Sequence, residues 1–283
     1  MILLNAFADH LDELSRRTWH NLTEAKRLGM RMGEVTITEA NLLSIAQFVA
    51  LTGLSAELVP TKGDESTTGA DFEIWFDVGG TILGYTIQAK VLTVGARTFT
   101  YREIGKTDGS GTEQAELLVQ HAHSVGAFPF HVLFNGWPAG LLGAPTLPTK
   151  WSTEHFGCSA IATPEVLRIR RSWPTQRTRK AEHFLPSSVP WSELFRSSRG
   201  KSGTPSGDGY GDPNTDCGRT GIRGTEIDLE ALAERARALM GGQYEFGYAD
   251  QLPHYVSRAL DGQPFVGDAG QYLPRFVFLI RQW

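Results

Sequence analysis

The stretch Thr68-Gly69-Ala70-Asp71-Phe72-Glu73-Ile74-Trp75-Phe76-Asp77-Val78-Gly79-Gly80-Thr81-Ile82-Leu83-Gly84-Tyr85-Thr86-Ile87-Gln88-Ala89-Lys90 decides how this chain reads. Residues alternate along a strand, so Phe72, Ile74, Phe76 and Val78 share one face while Asp71, Glu73, Trp75 and Asp77 share the other. After Gly79-Gly80 the alternation resumes, with Leu83, Tyr85, Ile87, Ala89 and Val91 opposite Thr86, Gln88 and Lys90. Gly-Gly between two alternating runs is the signature of a two-residue hairpin, because that turn needs positive φ at both central positions. A tight turn there pairs Val78 with Thr81 and sets Asp71 directly across from Gln88. The polar faces of the two strands then coincide.

Outward from this hairpin the chain alternates helices and strands. Leu4, Phe7, Leu11, Leu14 and Leu22 recur at helical spacing and predict one or two helices over residues 3 to 28. Leu42, Leu43, Ile45, Ala46 and Val49 predict another helix ending at Gly53, with Thr36 and Glu39 at capping-box spacing. Residues 56 to 59 read as a short strand, 112 to 124 as a helix, 128 to 135 as a buried strand and 158 to 162 as a further one. A helix is expected from Pro164, another over 225 to 240, and a terminal strand over 276 to 280. Five segments result: N-terminal helices (1–32), a core (33–165), a basic extension (166–196), a flexible Gly/Ser-rich loop (197–224), and a C-terminal helix and strand packing on the core (225–283).

Composition sets outer bounds. The chain has 283 residues, is 41% hydrophobic and carries a formal net charge of −4, so it has ample length to bury a core and is neither fibrous nor wholly disordered. It lacks an apolar run long enough for a membrane span, and its first residues meet Asp9 and Asp12 without a basic region, which argues against a signal peptide. Two cysteines, Cys158 and Cys217, build neither a disulfide framework nor a four-cysteine zinc site. A cytoplasmic location is expected. The charge is unevenly spread: residues 168 to 201 carry +7 and the rest carries −11, which leaves a polyanionic partner open.

The chemistry-bearing set lies on the polar face of the hairpin. Asp71 and the side-chain oxygen of Gln88 on adjacent strands can share one hard cation such as Mg²⁺ or Mn²⁺, with waters and a phosphate completing its shell. Lys90, two residues past Gln88, shares its face and is suited to charge developing on phosphorus. Glu73 is a second or alternative metal ligand. The competing reading is an amphipathic hairpin whose polar face is solvated, with a Glu73–Lys90 diagonal pair worth only about 0.2–1 kcal/mol.

An acidic helix start, Asp in a hairpin and then Gln-x-Lys resembles the PD-(D/E)XK nuclease superfamily, in particular the Asp…Gln-x-Lys variant of the Mrr-type restriction endonucleases. The fuller string, Gly33-Glu34-x-Thr36-Ile37-Thr38, Thr68-Gly69-Ala70-Asp71, Gln88-Ala89-Lys90 and Phe156-Gly157-Cys158-Ser159, is similar to an uncharacterised bacterial domain family found near phage-defence systems. The resemblance covers roughly residues 30 to 165. It implies an α/β fold with an α-β-β-β-α-β core, a mixed central sheet flanked by helices, and metal-dependent hydrolysis of DNA in restriction or antiviral defence. Asp71, Gln88 and Glu34 would be metal ligands, with Glu39 the fallback for Glu34, and Lys90 the catalytic lysine. Two departures stand out: Gln88 replaces the usual second carboxylate, and no Pro precedes Asp71.

Gln114, near a helix start where related nucleases place a polar residue, reads either as supporting the site or as a capping or surface residue, and Tyr101 either as a phosphate contact or as a packed aromatic. Arg168, Arg170, Arg171, Arg177, Arg179 and Lys180, with Trp173 and Trp191 interleaved, read either as a DNA-backbone contact surface or as a charged face whose tryptophans belong to the core. Cys158 beside His155 reads as a buried small residue rather than a nucleophile. The alternative functions are a catalytically impaired nucleic-acid-binding or scaffolding module, favoured by neutral Gln88, and an enzyme acting on a small phosphorylated metabolite. A free nuclease is toxic to its cell, so a regulatory or sensor protein is an expected partner. The oligomeric state is open, a dimer being compatible.

Overall fold

The Gly79-Gly80 turn forms as its sequence requires, with φ of 58° and 83°. The computed structural model describes residues 2–60, 68–172, 178–196, 227–242, 248–249, 251–260 and 274–282. In chain order the elements are α1 (Ile2–Arg27), α2 (Glu34–Leu51), β1 (Ser55–Pro60), β2 (Phe72–Val78), β3 (Thr81–Val91), β4 (Thr93–Val94), β5 (Phe99–Thr100), α3 (Gln114–Val125), β6 (Ala127–Phe134), β7 (Cys158–Ala162), α4 (Thr163–Ser172), α5 (Ala181–Phe184), β8 (Val189–Pro190), α6 (Leu229–Leu239), α7 (His254–Leu260) and β9 (Phe276–Gln282). The expected loop at 197–224, Trp173 and Arg177 lie outside the described residues.

Among the described residues, seven strands form one mixed sheet in the order β1-β9-β2-β3-β6-β7-β8. The class is α/β, as expected, and the order α-β-β-β-α-β runs through α2, β1, β2, β3, α3 and β6, interrupted by the small β4–β5 ladder. In the hairpin, Val78 pairs with Thr81 and Phe72 with Ile87, and the Asp71 amide continues the ladder by donating to the Ile87 carbonyl at 2.9 Å. β3 then runs parallel to β6, the two joined through α3.

The apolar face of the hairpin joins the largest core cluster. Phe72, Ile74, Phe76, Leu83, Tyr85 and Ile87 pack there with residues of α1, α2 and α6. The other face carries two smaller clusters, one around Tyr101, Leu133, Val166 and Phe184, the other around Trp75, Val256 and Leu279. Burial of this size is the dominant stabilising contribution, about 1.5–3 kcal/mol for each large apolar side chain removed from water.

The N-terminal segment is a single helix, one of the two arrangements expected. Two expectations are corrected. The helix after Gly33 starts at Glu34 with Gly33 as N-cap and no side-chain cap bond, so Thr36 and Glu39 do not form a capping box. The C-terminal strand does not merely pack on the core: β9 pairs antiparallel with β1 and parallel with β2, inside the sheet. The segment 33–165 therefore lacks a strand that its own sheet needs. Among the described residues no helix is long and apolar enough to cross a membrane.

Candidate functional site

Asp71 sits one residue before β2, and its position is set by its neighbours. Thr68 Oγ1 accepts from the Ala70 amide at 3.1 Å, closing a local turn. Gly69 has φ of +69°, and a Cβ there would lie 2.2 Å from the Gln114 carbonyl oxygen. Only glycine lets this segment approach the start of α3 so closely. The Asp71 carbonyl accepts from the Arg275 and Phe276 amides, tying it to β9, and its Oδ2 accepts from the Ala89 amide at 2.8 Å.

Gln88 lies across from Asp71, as the hairpin register requires. Its Nε2 donates to Gln114 Oε1 at 3.2 Å, which commits the nitrogen and leaves the Gln88 carbonyl oxygen as the acceptor. Lys90 extends from the same face, 2% exposed, with Nζ 3.7 Å from Glu34 Oε1. Glu34 opens α2, where a carboxylate also suits the positive end of the helix dipole. Asp71, Gln88, Lys90 and Glu34 thus gather at one end of the central strands, while Glu39 is exposed further along α2.

The solvated-hairpin reading fails. Asp71, Glu73, Gln88 and Lys90 are all buried, because α3 lies across β3 and β6 and α7 covers the adjoining cluster. Lys90 pairs with Glu34, not with Glu73.

Glu73 itself has a different role from the one expected. Fully buried, its carboxylate lies 2.6 Å from His121 Nε2 and accepts from Trp75 Nε1 at 2.8 Å and Tyr255 Oη at 2.6 Å. Burial and the adjacent carboxylate raise the Tyr255 hydroxyl well above its ordinary pKa, so it stays a donor. These contacts join β2, α3 and α7 and occupy both carboxylate oxygens, which speaks against Glu73 as a metal ligand.

Tyr101 is likewise turned inward, fully buried, with its hydroxyl donating to Asn135 Oδ1 at 2.5 Å, so it does not reach out to a phosphate. The basic extension is largely neutralised by carboxylates. Arg168 pairs with Glu165, Arg171 with Glu116 and Lys180 with Glu182. Arg170 is buried, bonded to Glu113 and to the Thr178 carbonyl. Arg179 is exposed and uses its backbone carbonyl to hold the Tyr101 amide. Trp191 belongs to the core and donates to the Leu11 carbonyl. Cys158 is buried with Sγ near Thr18 and Asn41, and burial pushes its thiol up to about 12, which suits packing and not nucleophilic attack.

One residue of the face escapes a reading of the sequence. His131 on β6 is in register with Gln88, fully buried, with Nδ1 3.0 Å from Thr163 Oγ1 and, among the described residues, no hydrogen-bond partner on Nε2. Burial, with a smaller contribution from the charge of Lys90, lowers its pKa to about 3, so the ring is neutral. Period-two alternation along β6 is the available signal, and it points to His131 only once the parallel pairing with β3 is known.

Among the described residues no three His, Cys, Asp or Glu side chains converge as a metal-binding group. The donor set at this site is two carboxylates, Asp71 and Glu34, with the Gln88 carbonyl, all hard oxygen atoms of the kind Mg²⁺ and Mn²⁺ prefer.

A search of curated proteins found no match to the sequence. A family model does match, across residues 7–282. That span takes in α1 through β9, so it covers the whole sheet and the site together: the chain belongs to DUF6615, a family of unknown function.

Proposed function

We propose that this protein is a divalent-metal-dependent nuclease that hydrolyses DNA phosphodiester bonds, of the kind used in restriction or antiviral defence. The observation that carries the reading is the meeting of Lys90 and Glu34, 3.7 Å apart beside the Asp71–Gln88 pair. The Asp…Gln-x-Lys variant of the PD-(D/E)XK pattern calls for these residue types together, and here they come from a helix start and two strands that are distant in sequence.

Asp71 and Glu34 would hold the cation with the Gln88 carbonyl, and Gln114 orients that carbonyl by fixing the amide nitrogen. A bound Mg²⁺ or Mn²⁺ would neutralise phosphate charge and acidify a water. Lys90, held by Glu34, aims its ammonium at the face where a scissile phosphate would lie and stabilises negative charge there. Burial around the lysine lowers the local dielectric and strengthens that interaction.

The neutral Gln88 favours a second reading, a DNA-binding module of the same fold with an impaired site, since one negative charge is missing from the ligand set. Cleavage of plasmid and linear DNA with Mg²⁺ or Mn²⁺ separates the two. The nuclease reading expects metal-dependent cleavage by the wild type and loss of at least about 100-fold in Asp71→Ala and Lys90→Ala. Equal cleavage in all three would remove these residues from the chemistry, and DNA binding without cleavage would favour the second reading.

A further inference from the structure

Of the cations expected to meet DNA in the basic extension, Arg168, Arg170, Arg171 and Lys180 are paired with carboxylates, so a nuclease built on this site calls for another phosphate-contacting surface. A cleft of about 270 Å³ lies between the end of α1 and the chain just past Lys90, lined by Lys26, Arg31, Arg102, Met30, Met32 and Val91 among others. Its charged lining is entirely cationic. Lys26, Arg31 and Arg102 are exposed. Lys26 donates to the Val94 carbonyl at 2.7 Å, fixing the cleft wall. Neither Arg31 nor Arg102 makes an ion pair among the described residues, in contrast to Arg168, Arg170, Arg171 and Lys180.

The cleft's place along the chain matters more than its charge. Met30 to Met32 lead into Glu34, and Val91 directly follows Lys90, so both of its walls run into the Lys90–Glu34 pair. Exposed Met30, 65% accessible, offers an apolar contact beside the cations, suited to a sugar or base edge.

We infer that this cleft is the DNA-backbone track, with Arg31 and Arg102 gripping phosphates that flank the one presented to Lys90. The inference rests on the nuclease reading for its orientation, but the binding it predicts does not need catalysis. Two phosphate contacts contribute about 2 to the slope of log binding constant against log salt.

The test is fluorescence anisotropy of a short fluorescein-labelled DNA duplex with the full chain in EDTA, across a salt series, for wild type, Arg31→Glu/Arg102→Glu, Arg31→Lys/Arg102→Lys and Arg168→Glu/Lys180→Glu. Expected are a loss of at least about tenfold and a shallower salt slope for the Glu pair at Arg31 and Arg102, near-wild-type binding for the Lys pair, and less than about a twofold change for Arg168→Glu/Lys180→Glu. Circular dichroism melts establish that each variant folds; if the Glu pair does not, Arg31→Gln/Arg102→Gln replaces it. Wild-type binding by the reversed or neutralised variant, no duplex binding by the wild type, or tighter binding to single-stranded RNA with the same arginine dependence overturns the inference. Asp71-dependent cleavage that is indifferent to Arg31 and Arg102 overturns the track alone. Arginine-dependent binding without any cleavage keeps the track and overturns the nuclease.

Discussion

Lys90 Nζ lies 3.7 Å from Glu34 Oε1, joining the end of β3 to the first residue of α2. The two partners are unequally placed: the lysine side chain is 2% exposed and the glutamate 20%. Removing Glu34 leaves a buried ammonium without this carboxylate, whereas removing Lys90 leaves a carboxylate that water can reach. Glu34→Gln is therefore expected to cost about 2–4 kcal/mol, and Lys90→Met to change stability by less than about 1 kcal/mol while abolishing cleavage. Urea unfolding of the two variants measures the asymmetry. Equal losses would mean that burial does not distinguish the two charges.

Glu73 yields a prediction of the opposite kind. Its carboxylate takes the Tyr255 hydroxyl at 2.6 Å and the Trp75 indole at 2.8 Å, so it fastens α7 to the sheet. Tyr255→Phe is expected to lower stability by about 1.5–3 kcal/mol, the contribution of a hydrogen bond to a charged group. Mn²⁺ affinity should stay within about twofold of wild type. A large loss of metal affinity with intact folding would return Glu73 to the ligand set.

His131 makes stability depend on pH. Its folded pKa is about 3, below the ordinary value of 6.5, because burial disfavours the charged ring. Between these two values the unfolded chain binds a proton that the native ring refuses, so stability falls as pH falls. The contribution is complete above the ordinary value and is lost progressively down through the folded pKa. From about pH 7 to pH 5 this residue alone accounts for about 2 kcal/mol. Urea midpoints at both pH values should show that difference in the wild type and lose most of it in His131→Gln. An unchanged pH dependence would place the origin elsewhere.

What the sequence makes legible is local. The hairpin register follows from Gly79-Gly80 because a two-residue turn fixes every later pair, and so Asp71 opposite Gln88 can be read from the residues alone. The insertion of β9 between β1 and β2 cannot, because nothing in Phe276 to Ile280 states which strands it will join. The helix start differs for a related reason. Thr36 and Glu39 carry a capping pattern, but Gly33 takes the N-cap and brings Glu34 to Lys90, a tertiary contact that local propensity does not contain. The basic extension misleads because the carboxylate partners of Arg170 and Arg171, Glu113 and Glu116, sit at the start of α3, far away in sequence. Alternation marks Glu73 as a candidate ligand because it gives a face but not what covers that face.

At the heart of the proposal stands a hard-cation site shared by Asp71 and Gln88, and an anomalous-scattering map from crystals soaked in Mn²⁺ probes it directly. A peak is expected within about 2.0–2.4 Å of an Asp71 carboxylate oxygen and the Gln88 carbonyl oxygen, absent in Asp71→Asn crystals. A saturating soak with no peak there, or with Mn²⁺ bound only elsewhere, would contradict the assignment.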